Sequence, residues 1–130
     1  MTKSVSSSVC APKTAGSPGS YTLPAANGNS NDKGKVNGVP TPWSTDTAFI
    51  SSVQSTAQSL NCNYIDLLSC MANETGATFD PGLVNSIGAT GLIQFMPTTA
   101  TGLGTTTTAL KSLDRVSQMD WVLKFFKLNH

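Results

Sequence analysis

NETGATFDPGLVNSIGATGLIQFMPTTATGLG, residues 73–104, holds the only glutamate of a 130-residue chain, Glu74. It closes an apolar segment in which Tyr64, Leu67, Leu68, Met71 and Thr75 recur at steps of three and four residues. That spacing predicts one buried face of a helix. Glu74 comes three residues after Met71 and seven after Leu67, so the same periodicity turns it toward the apolar side. A carboxylate there sits in a low-dielectric neighbourhood that favours its protonated form. A proton retained near neutral pH is what a general acid requires. The plainer reading is a helix-end glutamate that reaches solvent. Asn63 is placed to cap the start of this helix, and Gly76 to end it in a left-handed conformation.

Downstream, Phe79 to Phe95 reads as loop, with Pro81, Gly82, Gly88 and Gly91 among its turns. Pro97 suits the first turn of a short helix through Leu103, stopped by Gly104. Thr105 to Thr108 reads as a polar linker. Asp114 then caps a last helix with Val116, Met119, Val122, Leu123 and Phe126 on one face, widened by Trp121 and Phe125. Upstream, Ser44 or Thr45 caps a helix with Asp46 in its first turn and an apolar stripe of Phe49, Ile50, Val53, Ala57 and Leu60.

Residues 1–43 are of different composition. Ser, Thr, Gly, Pro and Asn dominate, and five of the seven prolines fall here, so little burial is on offer to offset ordering entropy. The segment reads as an extended tail, a docking arm whose apolar anchors into another chain are Tyr21, Leu23 and Trp43. Residues 44–130 form the globular domain. The calcium-loop hint at Asn27–Asp32 lacks the required glycine and glutamate, and Gly28–Val36 misses the phosphate-loop spacing.

The whole chain sets further bounds. A net charge of +1 with 12% charged residues builds no field for nucleic acid. No apolar run approaches the length of a membrane span. No apolar segment follows the N-terminal lysine, so no secretory signal is read there. Three cysteines without metal-ligand spacing suit a chain made in a reducing cytosol, with Cys62 and Cys70 as small buried hydrophobes. No cofactor or metal is implied.

Ser86-Ile87-Gly88-Ala89-Thr90-Gly91-Leu92-Ile93-Gln94-Phe95-Met96-Pro97-Thr98-Thr99-Ala100 resembles the S-x-x-G-A-x-G-L-x-Q-x-M-P-x-T-A signature of soluble lytic transglycosylases, lysozyme-like enzymes that cleave peptidoglycan. Glu74-Thr75 and Phe79-Asp80-Pro81 match the family's catalytic glutamate, the hydroxyl residue after it and its F-N-P-like segment. The resemblance implies a mainly α, lysozyme-like (α+β superfamily) catalytic domain lacking its usual C-terminal part, because family domains continue beyond the helix ending near Leu128.

It further implies Glu74 as the single catalytic acid and base, with Ser86, Gly88, Ala89, Gly91 and Gln94 binding substrate. The glycines would let the loop backbone approach the saccharide, and Gln94 would hold the glycan, the glutamate or the loop itself. Asp66 lies off the Glu74 face and Asp80 in a turn, so neither serves as a second carboxylate. Goose-type lysozymes carry an acidic residue where this chain has Ser86, which favours a 1,6-anhydro product over hydrolysis.

The pattern after Gly104 looks most like phage virion-associated members. The expected protein is made in the host cytoplasm, carried in the virion beside other tail proteins, and acts on peptidoglycan strands in the host periplasm or cell wall at infection. Two other readings stand beside it. One is a structural tail, hub or plug component with little activity; the other is a bacterial secretion-system muramidase.

Overall fold

The computed structural model describes residues 34–36 and 39–128. The expectations for Tyr21 and Leu23 therefore lie outside the described residues. The described part is mainly helical. A two-residue hairpin pairs β1 (Lys35–Val36) with β2 (Val39–Pro40), and a 3-10 turn follows at Trp43–Thr45. Five helices come next: α1 (Thr47–Leu60), α2 (Tyr64–Thr75), α3 (Pro97–Leu103), α4 (Thr107–Lys111) and α5 (Arg115–Leu128). No helix among the described residues is long and apolar enough to cross a membrane.

Local capping chemistry sets most boundaries. Asn63 accepts from the Ile65 amide at 2.9 Å to start α2, and Gly76 ends it at φ 63°. Asp114 accepts from the Ser117 amide at 2.8 Å at the head of α5. Pro97 begins α3, and Gly104 closes it at φ 95°. Two expectations shift. The α1 cap is Asp46 itself, accepting from the Phe49 amide at 3.0 Å, because Trp43–Thr45 are taken up by the 3-10 turn. The predicted Thr105–Thr108 linker instead starts α4, where the Thr106 hydroxyl accepts from the Ala109 amide.

The core gathers Phe49, Val53 and Ala57 of α1, Leu67, Leu68 and Met71 of α2, and Met119, Val122, Phe125 and Phe126 of α5. α1 packs against both α2 and α5, and α3 leans on α5. Trp43 belongs to this core and not to a partner's pocket. Its ring lies 4.9 Å from that of Phe79 and it is almost fully covered. On α5 the predicted face rotates. Val116 is exposed, and the charged Arg115 and polar Gln118 point inward with no exposed surface.

The cysteines divide. Cys70 is engaged in a disulfide, since pairing depends on which sulfurs a fold brings together and not on sequence spacing. Among the described residues, Cys62 is a free, buried thiol. Burial first, and the Asp66 carboxylate second, push its pKa up to about 11. Because only the thiolate attacks, Cys62 is expected to react with iodoacetamide about a hundredfold more slowly at neutral pH than an ordinary cysteine. Its rate should climb with pH until about 11. A rate that levels off near pH 9 in the folded protein would remove the burial argument.

Candidate active site

Glu74 occupies the last turn of α2 and is 8% exposed, so the apolar-face reading holds over the solvent-facing one. The backbone beyond it is fixed by local bonds. The Thr75 hydroxyl donates to Met71 O at 2.7 Å and accepts from the Phe79 amide at 2.9 Å. The Thr78 hydroxyl donates to Thr75 O at 2.9 Å. Ala77 and Phe79 both hold positive φ, 68° and 48°. Non-glycine residues adopt that region only when surrounding contacts over-determine it. Here the Phe79 ring packs on Trp43 and Phe49, and its carbonyl accepts from Arg115 Nε at 2.8 Å.

Residues 83–95 fold back on themselves as a miniature antiparallel sheet, with isolated bridges Val84–Thr90 and Thr90–Phe95. At its tip the Gly88 amide donates to Asn85 O, while Asn85 Oδ1 accepts from the Ile87 and Ala89 amides. Ser86 sits on this tip, exposed. Gly88 turns the chain at φ 87°, and a side chain there would meet only ordinary contact from Pro97. Its glycine is thus required by the backbone angle.

The other three residues expected to bind substrate lie inside the loop. Ala89 is fully buried. Gln94, itself at φ 55°, donates from Nε2 to Leu83 O at 3.1 Å and Gly91 O at 3.0 Å. Its amide therefore ties the loop together, the structural alternative for this residue. Gly91, at φ 86°, has no room for a Cβ because the Gln118 amide occupies that space. The close approach that Gly91 permits is to Gln118 of the same chain.

Sequence reasoning missed the residues that hold these two segments from behind. Arg115 donates to Phe79 O and pairs with Asp46 at 3.2 Å. Gln118, one turn along α5, donates from Nε2 to Pro81 O and Leu110 O, each at 2.9 Å, and accepts from the Leu92 amide at 2.7 Å. The available signal was a polar pair spaced three residues apart in an otherwise amphipathic helix. Asp80 stays in a turn, its Oδ1 accepting from the Gly82 amide at 2.8 Å. Asp66 is buried near the start of α2.

Two clefts flank this arrangement. One, of about 540 Å³, lies between α1 and the head of α2 and is lined by uncharged groups including Gln54, Gln58, Asn61 and Tyr64. Ten residues of helix, about 15 Å, separate Tyr64 from Glu74, so this cleft is not where the glutamate sits. The second, of about 400 Å³, borders Asp80–Gly82, Lys111 and Asp114. Among the described residues, no three His, Cys, Asp or Glu gather as metal ligands. No family model, curated protein or solved structure matches this chain.

Proposed function

We propose that this chain is a virion-associated peptidoglycan lytic transglycosylase with a lysozyme-like fold, cleaving the MurNAc–GlcNAc β-1,4 bond with Glu74. The observation that carries the reading is the chain's sole glutamate, buried at the end of α2 and followed at once by a backbone locked through Thr75. Glycoside cleavage needs a proton for the leaving oxygen and stabilisation of an oxocarbenium-like centre. The first falls to the Glu74 carboxyl group. With one carboxylate available, the second falls to the substrate.

The steps balance without added water. The Glu74 carboxylic acid protonates the glycosidic oxygen as the C1–O bond breaks, and the N-acetyl carbonyl oxygen of MurNAc bonds to C1. The carboxylate so formed takes the proton of the C6 hydroxyl. The C6 oxygen then displaces the amide oxygen from C1, which yields 1,6-anhydro-MurNAc and returns the acid. In this reading Ser86, exposed on the loop tip, and the turn backbone at Gly88 meet the glycan from the loop side.

Mass analysis of peptidoglycan digests tests this. The expected muropeptides end in 1,6-anhydro-MurNAc, one water lighter than hydrolysis products. Reducing ends alone would make the enzyme a muramidase. A folded preparation that releases neither returns the chain to the structural tail-component reading.

A further inference from the structure

Gln118 is a costly residue for its position. It has no exposed surface, and a buried amide is tolerated only when its donors and acceptor are matched. Here both donors and the acceptor are used, on three separate segments: Pro81, Leu110 and Leu92. An apolar residue would fill the same volume without those demands. What an amide adds is fixed geometry, since a satisfied buried network admits one arrangement of its members.

The segments it joins matter. Pro81 belongs to the turn that follows the Glu74 helix, and Leu92 to the folded-back loop that carries Ser86 and Gly88. Arg115, three residues earlier on the same helix face, grips Phe79 O in the first of these segments. Gly91 is shaped to the same contact, because its missing Cβ is what admits the Gln118 amide. One face of α5 thereby sets the register between the end of the Glu74 helix and the loop.

Resting on the transglycosylase reading, we propose that Gln118 is a positioning residue for that reaction, holding the glycan-facing loop in register with the Glu74 helix through its bonds to Pro81 and Leu92. It touches no substrate and acts through the backbone of both segments. Displacements of about 1 Å in such a frame lower turnover about a hundredfold.

The test compares Gln118→Met and Gln118→Glu with wild type on purified, uncross-linked glycan strands. Folded fraction is followed by circular dichroism and Leu92 amide exchange by NMR. Methionine keeps the length and removes every hydrogen bond. The expected result is a kcat at least tenfold lower, a KM within about threefold, and faster Leu92 exchange in protein that remains folded.

Glutamate adds a signature that lost packing would not produce. Ionised, it faces two carbonyl oxygens; protonated, it can donate to one while still accepting from Leu92. Its activity relative to wild type should therefore rise as pH falls, whereas that of Gln118→Met stays level. If Gln118→Met does not fold, the pH profile of Gln118→Glu decides alone. A folded Gln118→Met with kcat within twofold of wild type, or a flat Gln118→Glu ratio, overturns the proposal and leaves the transglycosylase reading intact. Wild-type protein that releases no anhydro product overturns both, and Leu92 exchange then still reports whether Gln118 holds the loop.

Discussion

Glu74→Gln is expected to lower release of 1,6-anhydro muropeptides at least about a hundredfold, the usual scale for losing a general acid, in a protein that stays folded. Glutamine retains the volume of the side chain at a site only 8% exposed, so the packing of Met71 and Leu67 along the α2 face has no reason to change. What disappears is the transferable proton. Both halves of the proposed cycle need it, first to expel the leaving sugar and then to activate the C6 hydroxyl. The loss should thus appear in kcat, with binding of glycan strands retained. Asp66 and Asp80 offer no replacement. The first is buried near the opposite end of α2, and the second is engaged with the Gly82 amide in its own turn. A folded Glu74→Gln that clears peptidoglycan at the wild-type rate would remove Glu74 from the reaction.

The parts of this fold legible in the sequence are those decided by neighbours along the chain. Asn63, Asp114, Pro97, Gly76 and Gly104 act on backbone within a turn of themselves, and each does what its type predicts. The apolar stripes of α1 and α2 likewise follow from period alone. The errors arise where a residue's role depends on something distant. Trp43 reads as tail by composition, yet Phe79 stacks on it from the far side of α2. Arg115 and Gln118 have no role that the apolar stripe of α5 reveals. Their partners are 69 residues away in Asp46, 36 in Phe79, 37 in Pro81 and 26 in Leu92, and no local pattern announces such pairings. The same limit affects the site. Glu74 was legible because its helix is periodic. The bonds Gln94 makes within the loop and the contact of Gly91 with Gln118 were not, because the loop's own folding has no period to read.

Asp46→Ala should be among the strongly destabilising single changes in the described fold. Its two oxygens do different work. Oδ1 caps α1 by accepting from the Phe49 amide at 3.0 Å, and Oδ2 receives Arg115 Nη1 at 3.2 Å, with side chains 0% exposed for Arg115 and 3% for Asp46. Removing the carboxylate breaks a buried ion pair, a loss on the order of 3–5 kcal/mol. The vacated cap contributes about 1 kcal/mol more. Domains of this kind are stable by only about 5–15 kcal/mol in total, so the change removes a large share of that stability.

Asp46→Asn separates the two roles. It retains an acceptor for Phe49, and so should recover about the capping portion while still removing the Asp46 charge from the pair. Combining Asp46→Asn with Arg115→Met, which removes the charge from both sides, should be less damaging than Asp46→Ala, because neither member of this pair is then left charged opposite a neutral one. Urea unfolding of the three variants reads these differences directly. An Asp46→Ala protein within about 1 kcal/mol of wild type would show that this ion pair contributes no more than an exposed one. The consequence reaches the candidate site, since the guanidinium that Asp46 balances is the group that holds Phe79 O in the turn behind Glu74. Stability and the geometry of the glutamate are set by the same ion pair.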